Sequence, residues 1–339
     1  MKILVTGGAG YIGSHTIIEL LNNTHFEVVS VDNYSNSNPE TYDRIRSITN
    51  RDFEVYEGDL TNLKLTQTIF RNHKIDGIIH FAALKSAPES VKNPLNYFHN
   101  NLNSLMNILL CQKNFKVPYF IFSSSCTVYG NTNDLPVRED TPLSEAESPY
   151  GSTKKMGEDI LKQSFISAYQ GNAIALRYFN PVGAHSSGLI GEDATSPSLN
   201  LFPIIMRVAH GFDKELKIYG SDYETKDGTC IRDFIHVSDI ANAHVLAMQY
   251  LYKGNNNKAF EVFNLGSGIG YSILEVIAEF EKTMGINLNY SFTKRRNGDI
   301  VEIFADNKKA LEILGWKPQK NLQDMLSSTW AWEKKKHKT

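Results

Sequence analysis

No stretch of this 339-residue chain is long and apolar enough to cross a bilayer. The opening MKILVTGGAGYIGSH meets glycine after only a few apolar residues, against the roughly 20 that a spanning helix needs. It is also too short in apolar character for a secretory leader, so a cytoplasmic protein without membrane contact is expected. Cysteine is scarce: Cys111, Cys126 and Cys230 are odd in number and far apart. They form neither a disulfide ladder nor a metal-ligand pair, so a reducing compartment and no metal site are expected. An excess of one charge is missing as well, with 35 Lys and Arg against 37 Asp and Glu and a net charge of -2. That balance leaves no electrostatic footprint for nucleic acid. The basic end at Lys334, Lys335, Lys336, His337 and Lys338 reads as a solvated terminus. There is no internal repeat and no low-complexity tract.

What is present is ordinary globular material, 41% hydrophobic and 21% charged, in a chain long enough for two folding units. Apolar runs of strand length occur at Ile3–Thr6, Val28–Asp32, Phe53–Glu57, Gly77–Phe81, Tyr119–Ser123 and Ala173–Tyr178. Between them Ile12–Asn22, Asn62–Asn72, Pro94–Lys113 and Tyr150–Ala168 repeat their apolar residues at helical spacing. Strand and helix in alternation predict an α/β fold with a doubly wound parallel sheet of the Rossmann kind over residues 1–179. From Pro181 to Asn200 the alternation loosens into Gly, Ser, Pro and Asn, the composition of a long binding segment. A smaller mixed α/β domain is expected over 180–339, with part of 229–264 able to pack back on the first. Its expected elements are helices at Pro203–His210, Ser272–Met284 and Leu322–Lys335, and strands at Leu216–Tyr219, Phe260–Asn264 and Leu288–Phe292. A strand-then-helix unit is expected over Thr229–Tyr250.

The first strand runs directly into Gly7-Gly8-Ala9-Gly10-Tyr11-Ile12-Gly13. Glycines at Gly7, Gly10 and Gly13 allow a tight turn, close approach of a pyrophosphate to the backbone and close helix-on-sheet packing. The helix that follows offers free N–H groups and a partial positive charge to phosphates. A glycine loop by itself is also found as a plain turn. Here it follows a strand and opens a helix, and Asp32 stands at the end of the second strand, near the expected spacing of about twenty residues. A carboxylate there accepts from a ribose diol and repels a 2′-phosphate, which favours NAD over NADP. Around the loop and that strand end, Tyr11, Ile12, Asn33, Ser35, Asn36 and Ser37 are further candidates for holding NAD. None of Asn33, Tyr34 and Ser35 brings a cation.

Tyr150 and Lys154 are four apart on a helix-length stretch, so their side chains share one face. A phenol titrates near pH 10 and is a poor base at neutrality. A neighbouring ammonium and a positive nicotinamide ring favour the phenolate, so a lowered pKa is expected for Tyr150. Upstream, the fifth strand ends in Ser123, Ser124 and Ser125, at the carboxyl end where open α/β sheets build their sites. A serine hydroxyl there can donate and accept while a proton moves.

The runs VTGGAGYIGSH, SVDNYSNS, EGDL, HFAALK, FSSSCTVYG, SPYGSTK, RYFNPVGAH, DGTCIRDFIHV, FNLGSG and RRNGDI lie in order from Ile3 to about Trp332. Together they resemble the UDP-glucose 4-epimerases of the extended short-chain dehydrogenase family. The glycine loop and YxxxK mark only the superfamily; HFAALK, RYFNPVGAH and RRNGD are far more specific. The resemblance implies Tyr150 as base, Lys154 as its activator and ribose clamp, and Ser125 as hydroxyl partner. It implies Asp59 and Leu60 at the adenine end, and Phe81, Ala82, Ala83, Lys85, Asn100, Ser123 and Tyr178 in the cofactor cleft. For the nucleotide sugar it implies Lys85, Tyr178, Phe179, Asn180, Asn200, Leu201, Arg232, Arg296 and Asp299. Leu199 stands where the family often has Asn, which leaves a contact there in doubt. Ile303 matches a position beside carbon 2 of the sugar, where Cys or Ser goes with acceptance of N-acetylated sugars and Tyr with their exclusion. Isoleucine is smaller than Tyr but stiff at its first torsion, so UDP-galactose is expected to be preferred. A homodimer through Pro94–Lys113 and Tyr150–Ala168 is implied in the same way.

An activity of this type inverts a carbon whose C–H bond is not acidic, so reversible oxidation to a ketone by NAD is the expected route. The intermediate must turn over while its UDP end stays held, a task that suits the planar donors of Arg232 and Arg296. One rival is a nucleotide-sugar 4,6-dehydratase, which resembles these enzymes but carries Asp-Glu after the strand-end hydroxyl, where this chain has Cys126 and Thr127. A second is a non-catalytic NAD-sensing protein of the same fold, which typically lacks the YxxxK pair.

Overall fold

The polypeptide alternates strand and helix through its first half, and each strand feeds the next helix across one face of a common sheet. The computed structural model describes residues 1–167, 171–193, 200–296 and 299–337. In order come β1 (Lys2–Thr6), α1 (Tyr11–Asn23), β2 (Glu27–Asp32), α2 (Glu40–Thr49), β3 (Glu54–Glu57) and α3 (Leu63–Asn72). There follow β4 (Gly77–His80), α4 (Ala87–Lys92), α5 (Pro94–Phe115), β5 (Tyr119–Ser125), α6 (Pro149–Ser167) and β6 (Asn172–Tyr178). Beyond them lie β7 (Asn180–Val182), α7 (Leu201–Ala209), β8 (Leu216–Tyr219), β9 (Ile231–His236), α8 (Val237–Tyr252) and β10 (Phe260–Leu265). The chain ends with β11 (Gly270–Ser272), α9 (Ile273–Met284), β12 (Tyr290–Thr293), β13 (Glu302–Ile303) and α10 (Leu322–Lys336). Ala168, Leu199 and Lys338 lie outside the described residues.

Seven parallel strands form the main sheet in the order β10-β6-β5-β4-β1-β2-β3. Apart from the edge strand β3, its strands are buried on both faces, so their apolar residues divide by alternation. Ile3, Val5, Ile79, Ile121, Ile174 and Leu176 enter one core with Ile17 and Leu20 of α1 and Ile240 and Met248 of α8. Leu4, Ile78, Phe120, Phe122 and Ala175 enter the other with Ile69 of α3, Leu105 and Ile108 of α5 and Leu161 of α6. The doubly wound sheet expected from the pattern is thus present. β10 lies beside β6 in that sheet, and α8 packs on α1.

The smaller part is built on β9, which pairs with β7, β11 and β13. Phe202, Ile205, Val276, Phe280 and Leu326 of α7, α9 and α10 close a third core over it. β8 and β12 form a separate parallel pair. Several short elements were not legible. α2 follows Asn36-Ser37-Asn38-Pro39, a run that reads as turn, and buries only Thr41, Tyr42 and Ile45. Leu288, expected to begin a strand, drops into the third core before β12 starts at Tyr290. No described helix is long and apolar enough to cross a membrane.

Candidate active site

β1 ends at Thr6, and the chain turns at Gly7 with φ +68°, a left-handed conformation that favours glycine. A Cβ at Gly7 would stand 2.8 Å from the Ala82 nitrogen, because the loop after β4 passes directly beneath. A Cβ at Gly13 would strike the Gly7 carbonyl oxygen, so the first turn of α1 can sit this close only without side chains. Gly10 is the N-cap of α1 and brings no side chain to cap it. The result is a bare backbone cradle at a helix N-terminus, with Tyr11 and Ile12 opening the helix, suited to the pyrophosphate of a dinucleotide.

Asp32 closes one side of the cradle. Its Oδ2 accepts from the Ala9 backbone N–H at 3.0 Å, and its Oδ1 accepts from the Tyr34 N–H at 2.9 Å and the Ser37 hydroxyl at 2.9 Å. The carboxylate is therefore fixed beside the loop rather than free to turn. Asn33 donates to Asp59 at 3.3 Å, Ser35 donates its N–H to Asn33 at 3.0 Å, and Asn36 lines the same cleft with Tyr11 and Lys85. At Asp59, burial raises the pKa, but hydrogen bonds from Thr61 and Asn33 outweigh it and leave the group below its ordinary value. Leu60 is buried, with its carbonyl accepting from Asn107 at 2.8 Å.

After β4, Phe81 packs its ring 4.7 Å from that of His244, and Ala82 donates its N–H to the Thr6 hydroxyl at 3.2 Å. Ala83 is half-buried in the same loop. Lys85 is exposed and pairs with Glu192 at 3.1 Å. Asn100 donates to Asn101, which grips Leu84 at both its N–H and its carbonyl and so anchors the loop.

Along α6, Tyr150 and Lys154 present one face to the end of β5. The Lys154 ammonium is buried and donates to the Ser123 carbonyl at 2.7 Å, with Nζ 5.8 Å from the centre of the Tyr150 ring. Ser125 is buried, accepts from the Thr127 N–H at 3.3 Å, and shares a hydrogen bond with Tyr150. Ser123, Ser125, Tyr150 and Lys154 are thus brought together at the carboxyl end of β5.

The direction of the tyrosine shift is opposite to the sequence expectation. Burial pushes Tyr150 up to about 12; the Ser125 hydrogen bond pulls the other way and does not win. Burial also pushes Lys154 down to about 8, with Glu158 opposing. Burial disfavours the charged form of both groups: Lys154 still carries its proton at neutral pH, but the protein's own charges do not make a phenolate of Tyr150 there.

Of the remaining candidates, Tyr178 adjoins this group as the register partner of Ser125. Tyr178 is buried and donates its hydroxyl to His244 Nε2 at 2.7 Å, since His244 Nδ1 is committed to the Ile240 carbonyl at 2.8 Å. Phe179 is buried and Asn180 opens β7. Arg232 on β9 donates to Asp299 at 2.6 Å and to the Ile231 carbonyl at 2.9 Å. Ile303 pairs in register with Arg232 and is buried among Cys126, Val128, Tyr129 and Phe179. Asn200 caps α7 and Leu201 begins it. Arg296 is exposed, its guanidinium 3.7 Å from the Tyr219 ring centre.

Sequence reasoning missed a buried network behind the catalytic face. Glu158 receives both the Arg177 guanidinium, at 2.6 and 2.9 Å, and the Ser124 hydroxyl, at 2.5 Å. Its spacing of four from Lys154 was the one available signal.

Residues 4–329 match the model of the family described as GDP-mannose 4,6 dehydratase. The UDP-glucose 4-epimerase of Bacillus subtilis strain 168 is 45% identical over 333 residues, covering 98% of this chain and 97% of its own. The structure of UDP-glucose 4-epimerase from Bifidobacterium longum in complex with NAD+ and UDP is similar, with a TM-score of 0.94, 44% identity and coverage of 99% and 98%. That of the Stenotrophomonas maltophila enzyme, with bound NAD and formylated UDP-arabinopyranose, gives 0.96, 42% identity and coverage of 100% and 99%.

Proposed function

We propose that this chain, which belongs to the UDP-glucose 4-epimerase family, interconverts UDP-glucose and UDP-galactose with Tyr150 as the base. The enzyme epimerises UDP-sugars at carbon 4 with NAD. The observation that carries the assignment of the base is the face of α6 on which Tyr150 and Lys154 meet Ser125 and the Ser123 carbonyl, beside the glycine cradle.

The cradle of Gly7, Gly10 and Gly13, with Asp32 at its side, fits a dinucleotide, because a turn this tight against the Ala82 backbone, with no side chains at its glycines, leaves bare backbone at a helix N-terminus for the phosphates. Bound there, NAD supplies the reversible removal of a hydride from carbon 4. Tyr150 accepts the proton of the 4-hydroxyl as the C4–O bond becomes a carbonyl, and returns it to the same oxygen once the sugar has turned and carbon 4 has regained a hydride on its opposite face. Ser125 donates to and accepts from that oxygen while the proton moves. Lys154 holds its positive charge beside the phenol and lowers the energy of the phenolate. Arg232, oriented by Asp299, and Arg296 grip the diphosphate while the sugar rotates. Asn180, Asn200 and Leu201 line the path of the nucleotide.

The 4,6-dehydratase reading lacks its acid and base. After Ser125 stand Cys126, which burial pushes up to about 12, and Thr127, which has no acidic proton at neutral pH. In support of a homodimer, α5 and α6 pack side by side and expose Met106, Leu110, Met156 and Ile166 on their outer surfaces. Three buried free thiols suit a cytoplasmic setting.

Purified protein incubated with UDP-galactose and no added NAD should yield UDP-glucose, seen by separating the sugars. Tyr150→Phe should keep its NAD and lose at least about 100-fold in rate, the usual acid/base contribution. Near-parental turnover by that variant would remove the base from Tyr150.

A further inference from the structure

α6 continues its catalytic face one turn past Lys154 to Glu158, so Tyr150, Lys154 and Glu158 stand in a row at intervals of four. Glu158 and Arg177 each expose only 5% of their side chains. The guanidinium of Arg177 grips the carboxylate side-on through Nε at 2.9 Å and Nη2 at 2.6 Å. The Oε1 that accepts from Arg177 Nε also accepts from the Ser124 hydroxyl at 2.5 Å. Ser124 and Arg177 are register partners on β5 and β6, as are Ser125 and Tyr178 one step on. The Glu158 carboxylate therefore ties α6 to two strands at the level where the catalytic residues leave them. Arg177 also donates to the Tyr129 hydroxyl at 2.9 Å, and Tyr129 donates to Asn264 Oδ1 on β10 at 2.6 Å, which extends the tie across the sheet end.

Resting on the epimerase reading above, we propose that Glu158 is a positioning residue. Its carboxylate locks Ser124 so that the flanking Ser123 carbonyl and Ser125 hydroxyl are held against Lys154 and Tyr150, and it supplies the buried negative charge that keeps Lys154 an ammonium.

Ser124 lies between the two groups that the site uses, so any rotation of this peptide moves both. Displacement of about 1 Å in such a constellation can cost a large factor in rate. For the charge, the titratable groups facing Lys154 are Tyr150 and Glu158 on α6 and His80 on β4, with Arg177 of β6 behind Glu158. His80 is held neutral, since burial first and the Lys154 charge second push it down to about 3. Glu158 is thus the carboxylate in that set, and it opposes the burial that pushes Lys154 down to about 8.

The test uses the purified protein with its bound cofactor and compares Ser124→Ala, Glu158→Gln and Tyr150→Phe. Ser124→Ala removes one hydroxyl and leaves the ion pair. It should lower kcat about tenfold with KM for UDP-galactose, bound NAD and the pH profile unchanged. Glu158→Gln should also lower kcat, and should move the falling limb of kcat to lower pH by about one unit, the size of a tenfold change in proton affinity. The sign follows from Lys154: without the carboxylate its proton leaves earlier as pH rises. A purely structural loss would lower activity without moving that limb. Parental kcat in Ser124→Ala, or an unmoved limb in a folded Glu158→Gln, overturns the inference; if Glu158→Gln does not fold, Ser124→Ala alone decides. An inactive Tyr150→Phe beside a fully active Ser124→Ala refutes this inference and leaves the base assignment standing. A fully active Tyr150→Phe refutes both.

Discussion

Replacing Lys154 by Met tests how a phenol pushed up to about 12 can act as a base near neutral pH. With its Nζ 5.8 Å from the Tyr150 ring centre and an effective dielectric of about 20, a charged Lys154 stabilises a phenolate by about 3 kcal/mol. That equals about two pH units, or about 100-fold in the fraction of base at a fixed pH. Methionine fills a similar volume and removes the charge, so Lys154→Met should lose about 100-fold in kcat near pH 7. Because the phenol is then far from its midpoint, kcat should climb about tenfold per pH unit up to about pH 10. The parent should turn over and begin to fall earlier, since Lys154 is pushed down to about 8 and surrenders its charge above that value. The assay is kcat for UDP-galactose across pH, with NAD content measured in each sample because Lys154 is also expected to hold the ribose. A variant with full NAD and a profile parallel to the parent would refute the electrostatic role of the lysine.

Arg232→Ala should weaken UDP binding by roughly 1.5–3 kcal/mol, the range for a hydrogen bond to a charged group, and equal affinities in a calorimetric titration would return Arg232 to a pairing role with Asp299. Gly13→Ala should strip NAD from the purified protein, because its Cβ would lie 2.9 Å from the Gly8 Cα and press on the Gly7 carbonyl; full NAD by absorbance after denaturation would contradict the cradle. Ile303→Ser should raise the rate on UDP-N-acetylglucosamine relative to UDP-galactose, and should lower the melting temperature because Ile303 is 3% exposed within an apolar cluster. A stability loss of about 2–5 kcal/mol is typical of such truncations; destabilisation with no change in preference would make Ile303 packing alone.

The parts of the site legible from the chain are those set by spacing within one element. Gly7, Gly10 and Gly13 fall three apart where a strand meets a helix, and Tyr150 and Lys154 fall four apart on one helix. Such intervals map directly onto backbone geometry. The long strands were legible for a related reason: the alternation of Ile3, Leu4 and Val5 between two cores leaves a continuous apolar run. α2 and β13 were not, because Thr41, Tyr42 and Ile45 alone, or a pair such as Glu302 and Ile303, carry too few apolar positions to set a period.

What stayed hidden was whatever depends on strand pairing. Ser124 and Arg177 are remote in the chain and adjacent only because β5 lies beside β6 in parallel register. The same holds for Arg232 and Ile303, joined by β9 and β13. The sign of the Tyr150 shift was hidden for a deeper reason. Proximity to Lys154 can be read from a spacing of four, but burial cannot, and here desolvation sets the sign against the opposing hydrogen bond with Ser125. A buried lysine also weakens itself as an activator, since the desolvation that raises the phenol lowers the ammonium. The chain's answer is a third charge on the same helix face. Glu158 opposes the deprotonation of Lys154, while Arg177 grips that carboxylate side-on in the core. A base at this site is therefore a property of the row Tyr150, Lys154 and Glu158 together with the strand that crosses it, and no two-residue motif contains it.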